Sequence, residues 1–482
     1  MGFSESLDRY FKITERGSNV TTEVRAGVAS FLTMSYNLLV NPQIMSKCGI
    51  PVEDVVVATA AASCVASVLV GLFGNLPFGL APGMGLSAYL TFGLVVGGDL
   101  TRVQALTSCL VSGALVAVVT LTGISHFLMR ITPHHVKLAI VVGMGLLIAL
   151  IGMVEVDLVV SSGDESLVAL GDLSDWKIWL VMSGLLLIGT LTYHQIEGGI
   201  LIGIMVCTLT YFSVTGEWPK NFVEVPRIES AFSENVDLSS LDSGCIMPIF
   251  AFVFVALFDI SGVMYGLGSL AKLESGPAGL PGGIWGFLGS AVGTAIAAAL
   301  GCSPIIVQVE NAAGIKEGGR TGLTACVVGA LFAASLFLAP LFGQIPNAAT
   351  APVLILVGAM MTNESKHIDW HNMKATLPAF LCIAMMPFTY SIPNGILFGM
   401  LFSFAFFFTS GEAFERCRGL GRRAQYAPLD AGGGSGDGGG VSAFFDDTQL
   451  KRNPSLLVSK READEAEAAA GYGAGAASVS QY

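Results

Sequence analysis

Apolar runs of about membrane-spanning length, parted by short polar breaks, fill the chain between residues 26 and 410. About 20 apolar residues make a helix long enough to cross the hydrocarbon core of a bilayer. Read this way, segments fall near 26–44, 55–73, 80–97, 103–123, 137–154, 177–193, 199–215, 246–268, 284–300, 302–315, 322–342, 350–362, 375–390 and 393–410. That makes fourteen, several too short to cross alone. Two are interrupted by Gly and Pro at matching places. The third reads Phe78-Gly-Leu-Ala-Pro-Gly-Met-Gly-Leu-Ser-Ala-Tyr89, and the tenth reads Leu300-Gly-Cys-Ser-Pro-Ile-Ile-Val-Gln-Val-Glu310. A helix can break at membrane depth only where protein or a water-filled cavity satisfies the freed backbone groups. Paired breaks in corresponding parts of two halves mark a duplicated carrier with its site near the midplane. The expected fold is an all-α polytopic membrane protein of fourteen segments, with the third and tenth broken. The segments form two inverted seven-segment repeats, because an odd number per half turns the second upside down.

The same pattern divides the chain into a cytoplasmic N-terminal segment (1–25), a first repeat (26–215), an extracellular linker (216–245), a second repeat (246–410) and a disordered cytoplasmic tail (411–482). Loop charge tests the count independently. With both termini cytoplasmic, the inner side receives Arg16, Arg25, Arg130, Lys137, Lys272, Lys316, Arg320, Lys366, Lys374 and the cluster Arg416, Arg418, Arg422 and Arg423. The outer side receives few cations, and its two longest loops are acidic, which is the usual asymmetry. The tail holds the flexible stretch Ala431-Gly-Gly-Gly-Ser-Gly-Asp-Gly-Gly-Gly440. Ser455, three residues after Arg452, is a candidate phosphosite, although a solvated tail is the plainer reading.

Composition narrows the class. The chain is 53% hydrophobic and 12% charged, with mean hydropathy +0.69. Soluble domains carry about 25% charged residues, so a large soluble core is excluded. Residues 1–25 contain no apolar stretch of signal-peptide type. Nine cysteines stand singly without a C-x-x-C pair or metal-ligand spacing and read as small packing residues. No nucleophile–base pair is visible, so an enzyme is not expected, and nothing points to nucleic acid.

The candidate chemistry lies inside the apolar runs. Asp259 interrupts a run from Cys245 to Leu270 that is otherwise uncharged. A carboxylate at the bilayer centre costs at least about 2.5–3.5 kcal/mol on insertion scales, so it should face the protein interior or a cavity. The alternative is a structural carboxylate bonded to neighbouring helices. Glu310 ends the second broken segment, and carboxyls withdrawn from water favour their neutral form, which suits a proton carrier. Its alternative is an ion pair with Lys316 or Arg320. Two acceptors without a matching intramembrane cation suit a neutral ligand rich in N–H donors, or a cation, and do not suit an oxyanion. The half-helix after Met84 should aim free N–H groups at the same place, with Ser87 adding a hydroxyl. Donors and acceptors converging in this way match the edge of a purine base. Phe31, Tyr36, Phe78 and Tyr89 are candidates to stack on a flat ring, with packing the commoner role. Three signals are discounted. Gly83-x-Gly85-x-x-Ala88 lacks a βαβ context, His367 and His371 fall in a solvated loop, and the sequons at Asn19 and Asn363 lie on the cytoplasmic side.

Several long motifs in order make the chain resemble the AzgA-like purine permeases, a branch of the nucleobase–ascorbate transporter group. They are Thr14-Glu-Arg-Gly-Ser18, Phe31-Leu-Thr-Met-Ser-Tyr36 with Asn41-Pro42, Leu80-Ala-Pro-Gly-Met-Gly-Leu86, Phe258-Asp259, Gly318-Gly-Arg-Thr-Gly-Leu323 and Pro387-Phe-Thr-Tyr-Ser-Ile392. The resemblance implies a core domain (first four segments of each half) and a gate domain (last three). It implies proton-coupled uptake of adenine, guanine and hypoxanthine, with the base held between the third, eighth and tenth segments. By motif position the binding role falls to the backbone around Gly85 and to Ser87, Asp259, Ser303 and Glu310, with Glu310 and Asp259 coupling the proton. No cofactor is implied beyond protons as the coupling ion. Three residues depart from the family pattern: Ser87 where Asn is usual, Val263 where Thr is usual, and Cys302 within a usual Gly-Thr-Ser.

The expected protein is therefore a secondary-active importer in the plasma membrane, its partners being purine bases, protons and the bilayer, with a homodimer by analogy. The rival readings are the same fold carrying xanthine, uric acid, a pyrimidine or an adenine-like hormone, and a nucleobase sensor that does not transport. An anion channel on this architecture is disfavoured by the lack of an intramembrane Arg or Lys.

Overall fold

The first apolar run forms two helices. In a computed structural model, α2 spans Val20–Met34 and α3 spans Asn37–Ser46, parted at Ser35–Tyr36, and α1 (Phe3–Phe11) precedes them. The structure describes residues 3–123, 133–161, 168–194, 196, 198–216, 218, 235–273 and 280–410. Most of the linker expected at 216–245 and all of the tail at 411–482 lie outside them. The described residues all fall in one unit.

Helix α2 starts at Val20 rather than 26 because the Asn19 side chain accepts from the Thr22 N–H and caps it. The N-terminal segment packs against the start of the helix Gly322–Ser335. Phe11 and Ile13 are buried with Leu323, and the Thr14 N–H and hydroxyl donate to Asp8, holding its carboxyl below the usual range.

The remaining elements follow in order. Helix α4 (Val52–Leu69) runs on through a π-helical turn, Val70–Gly74. Strand β1 (Leu80–Pro82), α5 (Met84–Ala88) with its π-helical continuation Tyr89–Val96, and α6 (Arg102–Leu121) come next. Helix α7 (His134–Glu155), a small antiparallel pair β2 (Val159–Val160) and β3 (Ala169–Leu170), α8 (Trp176–Tyr193) and α9 (Gly199–Thr215) complete the first half. The second half holds α10 (Ile246–Leu270), α11 (Ile284–Ala299), β4 (Ile305–Val307) and α12 (Asn311–Lys316). It continues with α13 (Gly322–Ser335), α14 (Ala339–Gly343), α15 (Asn347–Thr362), α16 (Met373–Thr389) and α17 (Ile392–Thr409). Among the described residues, 7 helices are long and apolar enough to cross a membrane.

The expectation of a purely helical chain needs correction. Leu80–Pro82 and Ile305–Val307 are extended and pair antiparallel, in the register Leu80↔Val307, Ala81↔Ile306, Pro82↔Ile305. Pro82 and Pro304 lack the N–H that a helix would use there, and the pairing satisfies the backbone groups that extension frees. Both strands also lean on hydroxyls of the helix before them. The Leu80 N–H donates to Ser67 Oγ of α4 at 2.9 Å, and the Ile305 N–H donates to Thr294 Oγ1 of α11 at 3.0 Å.

Helices α2–α6 pack with α10–α13, and α7–α9 pack with α15–α17. Close approach depends on glycine in each set. A Cβ on Gly314 would lie 2.2 Å from Ser30 Oγ, and one on Gly358 would lie 2.4 Å from the Gly145 carbonyl oxygen.

A buried carboxylate ties the two halves together. Glu23 is 0% exposed, and it accepts from the Arg320 N–H (3.0 Å), the Thr321 N–H (3.2 Å) and the Thr324 hydroxyl (2.6 Å). It therefore satisfies donors at the start of α13 that have no helical partner. Glu23→Ala strands these donors and should lower stability by about 3 kcal/mol. Thermal unfolding in detergent checks this, and an unchanged melting temperature would contradict it.

Candidate functional site

Asp259 lies midway along α10, half-buried between the buried side chains of Phe258 and Ile260. The neighbouring Ser261 hydroxyl donates to the Leu257 carbonyl. Among the described residues none donates a hydrogen bond to the Asp259 carboxylate.

Glu310 stands at the N-terminal edge of α12. Its Oε1 accepts from the Tyr36 hydroxyl at 2.6 Å, while Oε2 is buried with no partner. The ion pair with Lys316 or Arg320 is not formed. The Arg320 guanidinium donates instead to the carbonyls of Ile315 (2.7 Å) and Gly319 (2.9 Å). Helix α10, which carries Asp259, packs against both β4 and α12, the two elements between which Glu310 lies.

The strand pair is locked by two amides absent from the sequence-based candidates. Asn311 Oδ1 accepts from the Gly79 N–H at 2.7 Å, and its Nδ2 donates to the Gly79 carbonyl at 2.8 Å. The Gln308 side chain donates to the carbonyls of Ala81 (2.8 Å) and Pro82 (3.1 Å). The signal that could have found them is two side-chain amides flanking Glu310 in a largely apolar broken segment. At the start of α5, the first turn leaves the N–H groups of Met84, Gly85 and Leu86 without a helical acceptor; the first helical bond is Ser87 N–H to Gly83 at 2.9 Å. Gly85 itself lets α5 approach α7, since a Cβ there would lie 3.0 Å from Met144 Sδ.

The Permease family model (Xan_ur_permease) matches residues 21–398. The chain belongs to this permease family. Guanine/hypoxanthine permease PbuO of Bacillus subtilis is 34% identical over 403 residues, covering 81% of this chain and 92% of that one. Adenine permease AdeP of Escherichia coli is 33% identical over 396 residues, covering 82% and 89%. The transmembrane domain of the cyanobacterial bicarbonate transporter BicA superposes with TM-score 0.60 at 14% identity, over 79% of this chain and 97% of that domain. That likeness concerns the fold alone. The permease is thus a helical polytopic membrane protein and a transporter, not an enzyme.

The hydroxyls expected at the ligand are engaged inside the permease. Ser87 and Ser303 are both 0% exposed. Their hydroxyls lie 2.7 Å apart, and both donate to Asn41 Oδ1, at 2.7 and 3.1 Å. Asn41 Nδ2 donates in turn to Thr59 Oγ1 (2.9 Å) and Cys302 Sγ (3.2 Å). Two of the three departures from the family pattern, Ser87 and Cys302, therefore share one buried cluster, while Val263 lies one turn beyond Asp259 and is partly buried. Asn41 was legible only as a motif residue.

The four candidate stacking aromatics pack against protein. Phe78 is 0% exposed, Phe31 meets Phe332 edge-on at 5.2 Å, and Tyr89 tilts against Phe252 at 5.2 Å. Tyr36 is the partner of Glu310. Lys137 Nζ of α7 lies 5.4 Å from the centre of the ring of Phe258, the residue before Asp259.

Proposed function

We propose that the permease imports purine nucleobases (adenine, guanine and hypoxanthine) by proton symport. The observation that carries this reading is the pair of carboxylates with open acceptor capacity, Asp259 and Glu310 Oε2, beside a strand pair and the free N–H groups of α5. Carboxylates accept ligand N–H groups, and backbone N–H groups donate to ring nitrogens or carbonyls, so the set complements a purine edge. The names of PbuO and AdeP, a guanine/hypoxanthine and an adenine permease, support the same class.

In this reading the fourteen segments form two inverted repeats whose third and tenth members are broken at the two strands. The core (α2–α6 and α10–α14) moves against the gate (α7–α9 and α15–α17) to expose the site alternately. The coupling proton sits on Glu310 or is shared with Asp259. It neutralises the site before transit, since moving one charge through the field costs about 2.3 kcal/mol per 100 mV. Both termini face the cytoplasm, the membrane is the plasma membrane, and a homodimer forms through the gate.

The test is uptake of radiolabelled hypoxanthine into cells lacking their own purine carriers, at acidic and neutral outside pH. Saturable uptake that rises with acidity and is competed by adenine and guanine is the expected result. A surface-located protein that takes up none of the three overturns the reading. Ser87, Val263 and Cys302 then favour a different flat heterocycle on the same fold, which xanthine, uric acid and uracil as competitors would reveal.

A further inference from the structure

We infer that Tyr36 is a positioning residue that assigns the two oxygens of Glu310 different tasks, leaving Oε2 as the Glu310 atom that meets ligand and proton. The inference rests on the purine-carrier reading and deepens it.

Three constraints converge on Glu310. Its carbonyl accepts from the Thr33 hydroxyl at 3.2 Å and from the Ala313 N–H at 3.1 Å. The next residue, Asn311, is bonded to Gly79 through both ends of its amide. The Tyr36 hydroxyl then occupies Oε1 at 2.6 Å. With backbone and Oε1 held, the buried and unpartnered Oε2 is the remaining polar position of this side chain. A phenol hydroxyl donates to Oε1 whether the carboxyl is ionised or neutral, so an incoming proton goes to Oε2. Ionised, Oε2 accepts a ligand N–H; protonated, it donates to a ring nitrogen or carbonyl oxygen. The ligand class that serves both states is a heterocycle carrying an N–H beside an acceptor, as in an amide-like ring edge.

Tyr36 itself is held firmly. It is 2% exposed and lies where α2 and α3 part. Its ring belongs to the apolar cluster that α3 shares with α7, α8, α9 and α15, through Ile148, Val181, Ile204 and Leu354. The hydroxyl that sets Glu310 is therefore anchored in the seam between the two helix sets.

The test is Tyr36→Phe, which removes the hydroxyl and keeps the ring, in the radiolabelled hypoxanthine assay with surface quantity measured alongside. The expected result is a KM raised roughly ten-fold, the scale of one hydrogen bond to a charged group, with Vmax within about two-fold of wild type and surface quantity unchanged. A structural support would give the opposite split. A variant with unchanged KM, with Vmax lost, or absent from the surface overturns the inference. Wild-type uptake in the same experiment separates the two claims: a silent wild type sinks the purine reading and the inference with it, whereas an active wild type beside an unaltered Tyr36→Phe sinks the inference alone.

Discussion

On the purine-carrier reading, Asp259→Ala should reduce uptake roughly 100-fold or more at a base concentration that half-saturates wild type, with the variant present at the surface in wild-type quantity. Asp259 forms no hydrogen bond with the described residues, so its removal strands no internal donor and the fold should tolerate it. The loss falls on the ligand. A hydrogen bond from a neutral donor to a carboxylate is worth about 1.5–3 kcal/mol, and a purine edge can present two N–H groups to one carboxylate. Two such bonds translate to a factor on the order of 100 or more. Asp259→Asn separates charge from shape, because the amide keeps one acceptor and adds donors that meet the ligand N–H groups head-on. It should remain severely impaired. Normal uptake by Asp259→Ala would show that the central carboxylate is structural, and the proposed site would have to be abandoned.

Asn311→Ala produces the second large effect, on folding rather than on binding. The Asn311 amide is 0% exposed. It answers both the N–H and the carbonyl of Gly79 and also donates to the Gln308 carbonyl at 2.6 Å. Alanine strands the buried Gly79 N–H at a cost of about 1–3 kcal/mol, while the Gly79 carbonyl keeps the Gln308 N–H at 3.3 Å and the Gln308 carbonyl keeps the main-chain N–H of residue 311 at 3.4 Å. A loss of about 1–3 kcal/mol is a sizeable part of the stability of an ordinary folded domain. Most of the variant should be lost before the surface, and what is purified in detergent should melt well below wild type. A monodisperse protein with an unchanged melting temperature would mean that Gly79 finds other partners and that the amide is not the clamp.

The pairing of Gly79 with Asn311 could not be read from the pattern of residues, even though Asn311 stands out as a polar residue in its segment. Gly79 and Asn311 are in separate halves of the chain, each polar or small in an apolar setting, and nothing local says that they meet. The breaks themselves were visible, because proline and glycine act on their own backbone and hydropathy is summed over neighbours. The same locality explains why the α2 start was misplaced: an Asn cap at position 19 extends the helix through Thr21, Thr22, Glu23 and Arg25, residues that a search for apolar runs passes over.

The site divides along the same line. By itself the sequence determined the apolar segments, the two interruptions at Pro82 and Pro304, and the isolation of Asp259 and Glu310 in apolar surroundings, since the cost of a charge in lipid is a property of one residue in its own segment. Only the tertiary structure decided what those residues face. It turned Ser87 and Ser303 onto Asn41, gave Glu310 Oε1 to Tyr36, paired Leu80–Pro82 with Ile305–Val307 and assigned Glu23 to the start of α13. Each is a choice among nearly equal hydrogen-bond partners, worth about 1 kcal/mol apiece. Such choices are settled by which helices come within 3 Å of one another once the whole bundle has packed.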